Sequence, residues 1–214
     1  MILKRYQDEA VRELVNKTIK LLNYSESKKI IFEAPTGSGK TIMVAEFLKK
    51  FVTDSDLKQE ISFIWAAPRP VLTNQSKDKL EAYFESSRAL KCSFFEDLED
   101  KKIDSNEILF INWESINKKD NVIIRDNEQD FNLTRVIENT KEEGREIIMI
   151  IDESHHHATS DISKRLINDI GPKLTLDVSA TPTLKGDEKV NVDIEDVKKE
   201  GMIKKAVVLN ENFD

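Results

Sequence analysis

One eight-residue segment constrains this chain more than any other. Ala34-Pro35-Thr36-Gly37-Ser38-Gly39-Lys40-Thr41 follows the short apolar run KIIFE at 29–33. Helical spacing resumes at once through Val44, Phe47, Leu48 and Phe51. A buried strand, a glycine-rich turn and a helix in that order place a curled backbone at a helix start. Gly37 and Gly39 allow the turn, and the successive N–H groups of such a turn point at an anion. The positive end of the helix dipole adds to the attraction. Lys40 can reach the outer phosphates of a nucleotide, and the Thr41 hydroxyl can ligate Mg²⁺. The segment fits the Walker A pattern, with Ala34 in place of the first glycine. A plain glycine turn before a helix is the alternative, and the flanking strand and helix weigh against it. Pro35, Thr36, Gly37, Ser38, Gly39, Lys40 and Thr41 are therefore the candidate nucleotide-binding residues.

The rest of the chain repeats the alternation. Helical spacing over 5–22 opens it, through Val11, Leu14, Val15, Thr18 and Leu22. Apolar runs at 61–67, 107–112, 146–151 and 173–178 read as buried strands, and 205–209 as one more. Segments 71–84, 159–170 and 192–200 read as helices, the last ending at Gly201. Near-continuous apolar strands separated by helices predict an α/β fold: a mostly parallel sheet with helices on both faces. Ligands of such sheets bind beyond the carboxyl ends of the strands. Residues 117–145 look like a polar insertion, and 183–193 like a flexible link.

Composition sets the outer limits. The chain has 214 residues, 39% hydrophobic and 34% charged, which suits one or two globular domains. A single cysteine, Cys92, excludes a disulfide framework and any Cys-based zinc site. No apolar run approaches the roughly 20 residues of a spanning helix, and the first residues lack a signal-peptide core. A cytoplasmic setting with no membrane partner is expected. A net charge of −7 argues against a free-standing basic DNA-binding module but leaves room for a local basic groove.

The second chemical signal is Asp152-Glu153 at the end of the run EIIMII. A carboxylate at the end of a buried strand is costly without a partner, and Mg²⁺ supplies one. Asp152 would hold the metal, and Glu153 would orient and deprotonate water. A helix cap at Asp152 is the alternative. His155-His156-His157 follow, but consecutive helical residues point apart and rarely share one ion. His155 is read as a coupling residue beside the nucleotide.

APTGSGKT, then Asp152-Glu153-Ser154-His155, then Ser179-Ala180-Thr181-Pro182 together resemble the first motor domain of superfamily two helicases and translocases, a RecA-like P-loop NTPase domain. Arg5-Tyr6-Gln7 resembles their Q motif, in which Gln7 would read the adenine edge; Ala67-Pro68-Arg69 resembles motif Ia. The segment Phe110 to Asp120, FINWESINKKD, and the segment Glu200 to Lys205, EGMIKK, look like Res subunits of type III restriction enzymes. The resemblance implies ATP and Mg²⁺ as cofactors, with Thr41 and Asp152 on the metal and Lys40, Asp152 and Glu153 as catalytic residues. It implies that Ser179 and Thr181, with His155, couple hydrolysis to nucleic acid. It also implies that Arg69, Asn74, Trp113 and Ser115 lie on or near the nucleic-acid track. Read without the family, Gln7 is a polar face of the first helix and Arg69 a solvated charge. Trp113 is then core, and Asn74 and Ser115 are cap or turn residues.

The resemblance also implies parts that do not occur in this sequence. Only 33 residues follow Thr181. They contain neither the QxxGRxxR-like pattern of a second motor domain, which supplies arginine fingers, nor a nuclease cluster. Residues 1–182 are therefore read as the first motor domain, and 183–214 as a tail towards a second one. The parent is read as an ATP-driven DNA translocase or helicase, the restriction subunit of a type III enzyme, acting beside a modification methyltransferase subunit. The domain alone should bind nucleotide and turn it over poorly. Two alternatives stand: a DExH-type RNA helicase or nucleic-acid sensor, and a nucleotide-binding regulatory module that is no motor.

Overall fold

The computed structural model describes residues 2–54, 59–116, 132–153, 161–182 and 185–203. Seven strands build one sheet: β1 (Lys28–Glu33), β2 (Ile61–Ala67), β3 (Lys91–Ser93), β4 (Glu107–Asn112), β5 (Glu146–Asp152), β6 (Leu174–Ser179) and β7 (Glu188–Asn191). Their order is β3-β4-β2-β5-β6-β1-β7, and every pairing is parallel. The sheet is α/β as expected, without an antiparallel strand among the described residues. The helices are α1 (Arg5–Leu22), α2 (Lys40–Asp54), α3 (Pro70–Phe84), α4 (Trp113–Ile116), α5 (Leu133–Glu142), α6 (Asp161–Ile170) and α7 (Ile194–Lys199), and α2 to α6 lie in the connections that parallel strands need.

The pleat sorts side chains onto two faces. Phe63, Trp65, Phe110, Ile148, Ile150, Leu174, Leu176 and Val178 face a core shared with Leu14, Phe47 and Leu80, which lie on α1, α2 and α3. Ile64, Leu109, Ile111, Ile147, Met149 and Ile151 face a second core with Val136 of α5 and Leu166 of α6. A sheet covered on both sides explains why its strands read as continuous apolar runs.

Three expectations change. The polar stretch 117–145 contains α5, whose Leu133, Val136, Ile137 and Thr140 are buried at helical spacing. The short edge strand β3 was not anticipated; its three residues are too few for a periodic signal. The flexible link at 183–193 is corrected where it is described, because Glu188–Asn191 pair with Ile30–Glu33 as β7. Lys17 and Lys20 of α1 both meet Glu188, fixing this edge. The strand expected at 205–209 lies outside the described residues, as does the stretch 154–160.

Candidate nucleotide site

The phosphate-binding loop is the connection from β1 to α2. Gly37 and Gly39 adopt φ of +82° and +87°, a region in which a side chain is strained. A Cβ on Gly39 would also stand 2.7 Å from Gln7 Nε2. The loop is tied from below: Ala34 N–H donates to the Ser179 carbonyl at 3.1 Å, and Ser38 N–H to the Pro35 carbonyl at 3.1 Å. It is tied from the side as well. Tyr6 O–H and Gln7 Nε2 both donate to the Ser38 carbonyl, at 2.7 and 3.0 Å. Gln7 Oε1 accepts from Lys4 N–H at 2.9 Å, which closes the first turn of α1. Gln7 is buried and spans the helix start and the loop.

Lys40 begins α2, and Thr41 lies in the same turn, half-buried. Lys40 Nζ sits 3.4 Å from the Ala34 carbonyl and 3.5 Å from Glu153 Oε1. The loop and the acid pair at the end of β5 therefore share one cation, although they lie more than a hundred residues apart in sequence. Burial of the Asp152 carboxyl pushes its pKa up to about 6, and the neighbouring Glu153 charge adds to the rise. Lys40, the Glu153 backbone and the Ser76 hydroxyl pull the other way. Glu153 holds a φ of +49°, strained for a residue with a side chain, where the strand ends.

This donor set fits a divalent metal. A deep-set carboxylate whose charge is costly to bury, beside a second carboxylate, is what a hard cation relieves. The glycine turn and the lysine fit a polyphosphate.

Ser179 is buried, and its hydroxyl accepts from Thr181 N–H at 3.1 Å, while its carbonyl holds Ala34. Thr181 is exposed. The pair thus adjoins the loop through the backbone. His155 lies outside the described residues.

The residues expected on a nucleic-acid track divide. Arg69 caps the start of α3 and Asn74 lies one turn on, both exposed. Glu114 N–H donates to the Pro68 carbonyl at 3.3 Å, so α4 begins beside them. Nothing is described of the Ser115 side chain. Trp113 does not join them: it is 1% exposed and packs in the second core with Leu133 and Leu166. Its indole is core, and the expectation of a contact with nucleic acid is corrected on that ground. Tyr6 and Ser76 were not singled out as site residues from sequence. Tyr6 stood next to Gln7 in the quoted segment; Ser76, in mid-helix, gave no signal.

The chain matches the family model described as "Type III restriction enzyme, res subunit" over residues 1–184. No curated protein matches the sequence. Among solved structures, it is similar to a nuclease-deletion mutant of the Type ISP restriction-modification enzyme LlaGI, in complex with a DNA substrate mimic. That match has 14% identity and a TM-score of 0.58, covering 94% of this chain and 21% of that one. The UvsW helicase from bacteriophage T4 is also similar, at 15% identity and a TM-score of 0.48, covering 89% of this chain and 60% of that one. The chain thus spans about a fifth and three fifths of these proteins. No helix among the described residues is long and apolar enough to cross a membrane.

Proposed function

Because the chain belongs to the family of type III restriction enzyme res subunits, we propose that it is the ATP-binding motor half of a DNA translocase within a restriction enzyme. One observation carries the reading. Lys40 stands between the phosphate-binding loop and Glu153, at 3.4 and 3.5 Å, so the parts needed to hold and hydrolyse a nucleotide converge.

The roles follow from placement. The Gly37 to Thr41 backbone cradles phosphates, and Lys40 neutralises the outermost ones. Thr41 and Asp152 would hold Mg²⁺, which when bound supplies positive charge against the phosphate oxygens. Glu153 holds the attacking water and takes its proton. Gln7 faces the base end of the loop. Ser179, whose carbonyl accepts from Ala34 N–H, and Thr181, whose N–H donates to the Ser179 hydroxyl, couple hydrolysis at the loop to nucleic-acid binding. Arg69 and Asn74, with Ser115 beside them, contact the nucleic-acid backbone, which carries no sequence information. Arginines of a second motor domain complete the site in the parent protein. A nuclease domain and a modification methyltransferase subunit are its further partners, in the cytoplasm.

The test uses the full-length parent with duplex DNA, duplex RNA and single strands as competitors. The expected result is ATPase activity stimulated by duplex DNA and not by RNA. Stimulation by RNA alone overturns the substrate assignment in favour of an RNA helicase or sensor. Turnover indifferent to every nucleic acid supports a regulatory nucleotide-binding module.

A further inference from the structure

The inner stripe of α3 changes character near its start. Ser76, Leu80 and Phe84 stand four residues apart and are all buried, so one face of the helix is turned inward. Leu80 and Phe84 lie in the first core. Position 76 continues their stripe, yet it carries a hydroxyl where packing alone favours an apolar side chain. The hydroxyl of Thr73, also buried, is spent inside its own helix, on the Arg69 carbonyl at 3.0 Å. The hydroxyl of Ser76 leaves the helix and donates to the Asp152 carboxylate.

The register of the sheet explains the meeting. β2 and β5 are neighbours, with Ala66 opposite Ile151, and α3 begins three residues after β2 ends. Its first turns therefore lie beside the end of β5. Side chains alternate along a strand, and Ile148 and Ile150 face the first core; Asp152 is the next residue on that face. Lys40 and the Glu153 backbone, which also favour the charged carboxylate, belong to the loop and the acid pair; Ser76 comes from outside both. A hydroxyl is a neutral donor. It steadies one carboxylate oxygen and leaves Asp152 its whole negative charge for a cation. Outer partners of this kind set the orientation of the groups that hold a metal.

We propose that Ser76 is a positioning residue for the metal of the nucleotide: by donating to Asp152 from α3, it fixes the carboxylate towards a nucleotide-bound divalent cation. The inference rests on the reading of Asp152 as a metal-holding residue. It adds a third element, the inner face of α3, to the loop and the acid pair.

The experiment titrates this chain with ATP by calorimetry, once with Mg²⁺ and once with EDTA, in the wild type, Ser76→Ala, Ser76→Thr and Thr73→Ala. The wild type binds ATP more tightly with Mg²⁺ than with EDTA. Ser76→Ala weakens binding in Mg²⁺ by about tenfold, the lower end of what losing an outer partner of a metal ligand costs. It leaves binding in EDTA unchanged. Ser76→Thr keeps the hydroxyl and restores most of the affinity in Mg²⁺. Thr73→Ala, on the same turn of the same helix, binds as the wild type does under both conditions. An equal gain from Mg²⁺ in the wild type and Ser76→Ala overturns the inference while the metal reading of Asp152 stands. An equal loss in Mg²⁺ and in EDTA shows that Ser76 only packs, and overturns it too, as does a Ser76→Thr variant no better than Ser76→Ala. A wild type that binds ATP equally in Mg²⁺ and EDTA overturns the metal reading itself.

Discussion

The candidate nucleotide site and the proposed nucleic-acid track of this domain both lie at the carboxyl edge of one sheet, but they are built differently. At the nucleotide end, residues from α1, β1, α2, β5 and β6 converge with hydrogen bonds and charge contacts. Tyr6, Gln7, Ser38, Lys40, Glu153 and Ser179 form one connected set, directly or through the loop backbone. Along the proposed track, Arg69 and Asn74 stand exposed and Trp113 is buried. Phosphate chemistry needs a fixed geometry, and the loop, Lys40 and the acid pair are positioned by contacts within the chain. A backbone track needs only exposed groups spaced along a surface, and it is completed by what binds there.

The largest effect expected is on turnover. Glu153→Gln in the parent protein keeps nucleotide binding and lowers hydrolysis by about 10² to 10⁴, the usual worth of a general base. Single-turnover assays with labelled ATP measure it. Undiminished hydrolysis removes Glu153 from that role and loosens the link between the loop and the acid pair.

Next in size is Trp113→Ala. A large buried aromatic replaced by alanine costs about 3–5 kcal/mol of stability, which urea unfolding measures. If Trp113 instead served the track, the substitution would weaken DNA binding with little loss of stability.

Asp152→Asn gives a smaller effect with a defined sign. The native carboxyl has its pKa raised from 3.8 to about 6. A raised acid pKa means that the folded state holds a proton the unfolded chain has already released. Stability is therefore lost as pH climbs through that window and stays lost above it. Removing the charge should stabilise the metal-free domain by about 3 kcal/mol at pH 8 and by little below pH 4. Denaturant midpoints at the two pH values check this. A uniform gain at both contradicts it, as does no gain at pH 8.

The smallest effect falls on the track. Arg69→Ala should leave ATP binding intact, weaken DNA binding a few-fold and reduce the salt slope by about one. Fluorescence anisotropy at several salt concentrations measures all three. An unchanged slope places Arg69 off the phosphate backbone.

How much of this was legible in the sequence follows from the same contrast. The strand–glycine turn–helix unit is local, so β1, the loop and α2 could be placed from residues 29–51, although α2 extends a few residues at each end. Buried parallel strands announce themselves as apolar runs, and β2 and β4 lie where those runs do. The helix α5 was hidden because Leu133, Val136 and Ile137 sit among charged residues, in a stretch judged by its polarity. The strand β7 was hidden because Glu188, Lys189 and Asn191 are polar; it joins the sheet through backbone pairing and the lysines of α1. Trp113 was placed on the track by family likeness, whereas general burial preference placed it in the core. The Ser76 hydroxyl beside Asp152 and Ile203 upon Gly37 are tertiary encounters, and no periodicity could have shown them.

The central claim is that the loop at Gly37–Thr41 holds a nucleotide through Lys40. Calorimetric titration of this chain with ATP and Mg²⁺, beside Lys40→Ala, tests it most directly. The account predicts saturable binding of one ATP per chain, lost or weakened at least a hundredfold in Lys40→Ala, with the thermal unfolding of the two proteins otherwise alike. Equal affinity in both proteins, or no binding in either, would contradict it.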